Sequence, residues 1–208
     1  MQWEEYLSER VHHNLFIKAQ VYKPTIQLMR RVLRPGEPVI ELGSGSGRTA
    51  KLMADMGYPT TAVDLAYPLL KPLNAGSDLF GDLKTVNADM ANLPFPDKSF
   101  KLAYSFQVLE HFDADTIVAF LREQKRIADF VVVDVPNDKC EHQSFGDENF
   151  YSDEQWTDMF TQAGLDVQIS FQRGLDRGQR VDNCSVFLAN DMDSPVELQE
   201  ITDVYDHY

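Results

Sequence analysis

A short apolar strand that runs directly into three alternate glycines constrains this chain more than any other feature. Pro38-Val39-Ile40 leads into Glu41-Leu42-Gly43-Ser44-Gly45-Ser46-Gly47-Arg48 before helical spacing resumes. That is a strand, a glycine turn and a helix in succession. Glycine carries no Cβ, so such a turn can bend sharply and let a ligand lie against exposed amides. The next apolar run ends Ala62-Val63-Asp64, and an acidic residue at a strand tip can accept hydrogen bonds from both hydroxyls of a ribose. Glu41, Gly43, Ser44, Gly45, Gly47, Asp64 and the adjacent Leu65 therefore form one candidate constellation for a nucleoside-bearing ligand. The plainer reading is that the glycines make a tight turn and Asp64 caps a helix. A dinucleotide fingerprint needs a glycine three positions after its second, where helix and pyrophosphate approach. Arg48 occupies that position, which opposes a nicotinamide-dependent oxidoreductase.

Apolar runs bounded by turn signals recur beyond residue 38 and alternate with helical spacing, which predicts βαβ units and an α/β domain. Strands are expected near Val39 to Leu42, Thr60 to Asp64, Thr85 to Asn87, Leu102 to Phe106, Phe130 to Val135, Val167 to Phe171 and Val181 to Ala189. Helices are expected from Thr25 to Leu33, Thr49 to Met56, Ala114 to Ala128 and Ser152 to Ala163, with another over much of the first twenty residues. Gly57 and Gly164 stand where a left-handed residue closes a helix, and Ser152 with Gln155 makes a capping-box pattern. After Asp64 a short or broken helix is expected, because Pro72 removes a backbone donor.

The 208 residues suit one α/β domain. We divide it into an N-terminal helical lid over 1–24, a core over 25–189 and an acidic tail over 190–208. A net charge of −14 repels a phosphate backbone and makes nucleic acid a disfavoured partner. The start, Met1-Gln2-Trp3-Glu4-Glu5-Tyr6, is acidic where a signal peptide is basic, and no apolar run is long enough to cross a bilayer, so a cytoplasmic protein without membrane insertion is expected. Cys140 and Cys184 are expected to remain reduced, and neither has metal-ligand spacing.

Further along stand Asn87-Ala88-Asp89-Met90, then Leu93-Pro94-Phe95-Pro96-Asp97-Lys98-Ser99-Phe100, then a strand ending Ser105-Phe106-Gln107-Val108-Leu109-Glu110-His111-Phe112. Together with the ExGxGxG turn, these runs resemble the class I S-adenosylmethionine-dependent methyltransferases of small-molecule type. The resemblance spans about residues 25 to 189 and is strongest from Val39 to Phe112. It implies a Rossmann-like sheet of seven mostly parallel strands in the order 3-2-1-4-5-7-6, with helices on both faces and the final strand antiparallel. The implied cofactor is S-adenosyl-L-methionine, and the implied reaction is in-line transfer of its methyl group to an O, N, S or C nucleophile on a small molecule. Asp89 is then expected to accept from the adenine amino group, the Met90 amide to donate to the ring, and Leu65 or Met90 to cover its faces. Phe106 and Gln107 fall at the tip of strand four, against the cofactor. The alternative for Asp89 is a turn residue before Pro94. A chain that keeps the fold as a non-catalytic scaffold is the competing functional class.

In-line displacement with a neutral leaving group draws its rate from proximity, alignment and desolvation. A nucleophile that carries a proton also needs a base, and His111, just past strand four, is the candidate. It can equally hydrogen-bond loop backbone. Gln107, Glu110, His111 and His142 are similar to a metal-binding variant of small-RNA 2′-O-methyltransferases, but Gln107 stands where that variant has Glu, and no metal is assigned. The loop from Pro136 to Phe150 is long, polar and aromatic, which suits contact with substrate. His12 and His13, with Trp3 and Tyr6, belong to the N-terminal segment, whose expected role is packing of an amphipathic helix and lidding of the pocket.

Overall fold

Burial on both faces of the central strands decides the architecture. In the computed structural model, which describes residues 22–66, 82–140, 147–176 and 181–196, alternate side chains of β1 (Val39–Leu42) and β5 (Ala128–Pro136) enter two different apolar layers. Val39, Phe130 and Val132 join Tyr22, Met29, Leu102, Tyr104 and Leu188 on one side. Ile40, Leu42, Val131 and Val133 join Trp156, Phe160 and Phe187 on the other. A strand with no wet face has to be covered twice, and helices do the covering. Helices α1 (Lys23–Met29) and α2 (Arg48–Asp55) send Ile26, Met29 and Met53 into the first layer. Helices α3 (Ala114–Ile127) and α4 (Asp153–Gln162) send Ile117, Leu121, Trp156 and Phe160 into the second.

The remaining strands are β2 (Thr60–Val63), β3 (Leu83–Val86), β4 (Phe100–Phe106), β6 (Leu165–Asp176) and β7 (Val181–Asp191). The seven lie in the order β3-β2-β1-β4-β5-β7-β6. Strands β1 to β5 pair in parallel, whereas β7 runs antiparallel to both β5 and β6. This is the order that the resemblance implied. The chain leaves β1 toward one side of the sheet and β4 toward the other, so a crevice opens at the carboxyl ends of β1, β2 and β4.

Several boundaries differ from expectation. The helix expected over Thr25 to Leu33 begins at Lys23, inside the segment assigned to the lid, and ends at Met29. The Arg31 and Val32 amides reach only three residues back, to Leu28 and Met29, so the chain tightens into a turn. Strand β6 continues to Asp176 instead of stopping at Phe171, since its pairing with β7 extends past an irregularity between Val167 and Ile169. The tail assigned to 190–208 starts too early, because Asn190 and Asp191 are the last residues of β7. Asp191 is anchored there by an ion pair of 2.9 Å with Lys125. The capping box forms as read, with Ser152 accepting from the Gln155 amide and the Gln155 side chain accepting from the Ser152 amide. Gly57 and Gly164 do take left-handed backbone, at φ 88° and 78°. Neither Cys140 nor Cys184 is in a disulfide. The helix expected in the first twenty residues and the broken helix after Asp64 fall mostly or wholly outside the described residues, as does the tail beyond Val196. Among the described residues, no helix is long and apolar enough to cross a membrane.

Candidate active site

The glycine turn sits at the carboxyl end of β1, and its shape follows from two constraints. Gly43 has φ 66°, and a Cβ on it would come within 2.6 Å of the Val108 side chain, which follows β4. The turn and the start of the next loop are therefore in contact only because the side chain is missing. Gly47, at φ 64°, is the left-handed residue from which α2 begins. The Ser44 amide donates to the Val63 carbonyl at 3.0 Å, which ties the turn to the tip of β2. Ser44 Oγ is buried and has no hydrogen-bond partner among the described residues.

Asp64, the acidic residue beyond β2, holds this turn from the other side. One carboxylate oxygen accepts from the Gly45 amide at 2.7 Å and the other from the Ala66 amide at 2.7 Å. A carboxylate has about four acceptor positions, so two remain for an incoming donor pair. Asn87 donates through its side-chain nitrogen to the Asp64 and Leu65 carbonyls at 2.8 and 2.9 Å, joining the tips of β2 and β3. Leu65 is 68% exposed, an apolar side chain left standing beside the turn. Asp89 accepts from the Ala91 amide at 2.9 Å and its carbonyl from the Asn92 amide at 3.1 Å, which is the turn role weighed in the sequence. Met90 is buried with Leu93 in the second apolar layer.

Glu41 is buried within β1 and pairs in register with Tyr104 on β4. Burial first, and then the Glu41 carboxylate, push the Tyr104 hydroxyl well above the usual tyrosine range, so the phenol stays protonated. The Phe106 side chain is buried in the first apolar layer and stacks on Tyr22 at 4.9 Å between ring centroids. Only its backbone is placed at the strand tip.

Gln107 follows with φ 58°, a left-handed conformation that a side chain disfavours. Its amide donates to the Asp134 carbonyl at 2.8 Å. Its side-chain nitrogen donates to the same carbonyl at 3.1 Å, to the Asp134 carboxylate at 3.2 Å and toward Cys184 Sγ at 3.7 Å. Asp134 is fully buried and also accepts from Thr25 Oγ at 2.7 Å and from two nitrogens of Arg173 at 2.8 and 2.5 Å. Burial alone would depress the Arg173 guanidinium, but the Asp134 carboxylate raises it above its ordinary value. Burial pushes the Cys184 thiol up to about 12. This group escaped the sequence reading, although a lone Asp inside Phe130-Val131-Val132-Val133-Asp134-Val135 was a visible signal, since a buried strand does not carry an acid without a partner.

His111 lies in a single 3-10 turn, Leu109–His111, that follows β4. Its Nδ1 is 2.6 Å from the Asp147 carboxylate, and its Nε2 is 3.9 Å from Glu110 Oε1. Because a carboxylate only accepts, Nδ1 carries the proton in the neutral ring and Nε2 is the basic nitrogen. Asn149 clamps the stretch from Asp147 onward to this turn through its amide and side chain, which donate to the Glu110 carbonyl at 2.7 and 3.1 Å. The expected substrate-facing loop therefore supplies Asp147, a partner that spacing in the sequence did not reveal. Burial pushes the Glu110 carboxyl well above the ordinary range, with the nearby Glu148, Asp134 and Asp147 charges adding to it. Glu141 and His142 lie outside the described residues. Among the described residues, no group of three His, Cys, Asp or Glu side chains is arranged to hold a metal ion.

The structure thus brings Gly43, Ser44, Gly45, Gly47, Asp64 and Leu65 together around one turn, and places Gln107 and His111 just beyond the neighbouring strand β4. Asp89 and Met90 follow β3 as a separate turn.

A family described as a methyltransferase domain matches residues 40–129. A demethylmenaquinone methyltransferase of Corynebacterium urealyticum is 33% identical over 98 residues, covering 46% of this chain. The matched part spans only 38% of that relative's length. A Haloferax volcanii structure, the complex between the Trm112 methyltransferase activator and a methyltransferase, superimposes with a TM-score of 0.71 at 18% identity, covering 94% of this chain and 98% of that one. Magnesium protoporphyrin IX methyltransferase of Synechocystis, solved with bound S-adenosylmethionine, superimposes with a TM-score of 0.64 at 13% identity, covering 85% and 79%. At such identities the structures speak for the fold, while the family match speaks for the segment from β1 to β5 that carries the glycine turn. What the chain shares with the methyltransferase domain family is that segment, and what it shares with these structures is the sheet.

Proposed function

We propose that the crevice over β1, β2 and β4 binds S-adenosylmethionine and that the chain moves its methyl group to a nucleophile on a small molecule. The observation that carries this reading is the turn held between Asp64 and Val108, with left-handed glycines that keep it bare of side chains, a buried Ser44 hydroxyl with no hydrogen-bond partner among the described residues and apolar Leu65 uncovered beside it. When bound, the cofactor would supply a methyl group activated on positively charged sulfur, with a neutral thioether as the leaving group. The chain's residues do the rest. The turn from Gly43 to Gly47, bare of side chains at its glycines, takes the methionine end. Asp64 offers its unused acceptor positions to the ribose. Asp89 and the Met90 amide meet the adenine edge. Where the nucleophile carries a proton, His111 Nε2 takes it, and Asp147 stabilises the resulting imidazolium through Nδ1.

The near full-length likeness to the Haloferax methyltransferase favours a second reading, in which this chain works with a Trm112-type activator. Co-expression with the Trm112-type protein of the same source is expected to yield a complex on size exclusion. Separate elution of the two folded proteins removes that reading.

Calorimetric titration is expected to show binding of S-adenosylmethionine and none of a nicotinamide dinucleotide. Asp64→Ala should weaken the former by about 1 to 3 kcal/mol, since it removes acceptors for the sugar and loosens the Gly45 amide. Affinity equal to wild type would undo the placement of the ribose. With an acceptor found by screening a metabolite extract for products heavier by one methyl group, His111→Ala is expected to slow turnover by roughly a hundredfold. A normal rate removes His111 from the chemistry.

Glu110 adds a pH dependence. Its folded-state carboxyl is raised, so between its ordinary value of 4.5 and the raised one the folded protein holds a proton that the unfolded chain releases. Stability from this group is therefore lost as pH rises above 4.5. Glu110→Gln should match wild type in urea unfolding at pH 4 and exceed it progressively toward pH 8. A constant difference across that range would contradict the assignment.

A further inference from the structure

Gln107 is held in a way that its own hydrogen bonds do not fully use. Its backbone is left-handed at φ 58°, a conformation a glutamine adopts only where its surroundings hold it. Two of the three partners of its side-chain nitrogen, the Asp134 carbonyl and carboxylate, are acceptors only. The amide therefore cannot flip, and the nitrogen end must face Asp134. Asp134 in turn is fixed by Arg173 from β6 and by Thr25 from α1, and the Arg173 guanidinium lies 5.2 Å from the ring centroid of Tyr22 at the start of α1, so the side chain that orients Gln107 is tied to two further elements. The consequence lies at the other end of the amide. Gln107 Oε1 accepts nothing from the described residues, and it is not among their enclosed polar atoms. A fixed, solvent-reachable acceptor stands just beyond β4, beside the crevice.

We propose that Gln107 Oε1 is a specificity-determining acceptor that selects a methyl-accepting group bearing its own proton, an amine or a hydroxyl, with Asp134 and Arg173 as the residues that position it. This rests on the cofactor reading above. A group with an N–H or O–H to donate is drawn to the oxygen and aligned for in-line attack. A thiolate or carboxylate, with no donor, meets an oxygen lone pair instead. The ion pair fixes one of the acceptors of that amide nitrogen, the Asp134 carboxylate, and its contribution is orientation. Losing it frees the amide to turn its nitrogen toward the substrate and reverses the preference.

The test needs no knowledge of the natural acceptor. Sinefungin is an analogue of S-adenosylmethionine in which a carbon bearing an ammonium group replaces the methylated sulfur, so it sets a donor where the reacting groups meet. S-adenosylhomocysteine has none there. Calorimetry on the full chain is expected to give tighter binding of sinefungin than of S-adenosylhomocysteine, and Gln107→Met should lower that ratio by roughly tenfold, as expected for loss of one hydrogen bond to a charged group. Gln107→Asn, which tolerates the left-handed backbone but shortens the reach, should lower it too. If both ligands bind and the ratio is the same in wild type and variants, the role of Gln107 is overturned while the cofactor site stands. If wild type holds neither ligand, the cofactor reading fails and this one with it. Should both variants fail to fold, a crystal of wild type with sinefungin decides: an ammonium within hydrogen-bond distance of Oε1 supports the assignment, and one turned elsewhere removes it.

Discussion

The absence of one methyl-sized group at Gly43 is the constraint on which the site depends. With a side chain there, Val108 would be displaced, and Val108 begins the segment that carries Glu110 and His111. The close approach lets the loop after β1 and the loop after β4 share one crevice. Strand pairing brings the two tips side by side, since β1 lies between β2 and β4, but pairing alone would leave the loops free to diverge. Asp64 completes the arrangement by holding the Gly45 amide from the β2 side. Three strand tips are thereby locked together by one glycine and one carboxylate.

A second, independent lock lies on the far side of β4. Asp134, Arg173 and Thr25 form a buried charged group in which every carboxylate contact has a donor. Such a pair contributes little net stability relative to apolar packing, because taking two charges out of water offsets most of their attraction. Its contribution here is geometric. It orients the side-chain amide of Gln107 and, through Thr25, ties α1 to the end of β5. The site is thus built as two halves, a glycine half and a polar half, with β4 between them.

Much of the first half was legible in residue order. The alternation of buried runs with helical spacing gives the βαβ architecture, and the ExGxGxG turn followed by Asp64 marks the crevice, because glycine freedom and strand-tip acidity are properties of residue type and spacing. The capping box at Ser152 and the left-handed ends at Gly57 and Gly164 were readable for the same reason. The antiparallel placement of β7 between β5 and β6 came from family resemblance and not from periodicity, which carries no information about neighbours in a sheet.

Local chemistry, then, was settled by the chain as written: which segments are buried, where the backbone must turn left-handed, and which carboxylate stands at the tip of the second strand. Folding alone could decide which distant side chains meet. Asp147 reaches His111 across 36 positions and Arg173 reaches Asp134 across 39, and no spacing rule spans such separations, since the strands between them may be ordered in many ways. The amide of Gln107 likewise has two equivalent faces in sequence. Only the acceptors packed beside it in three dimensions choose one.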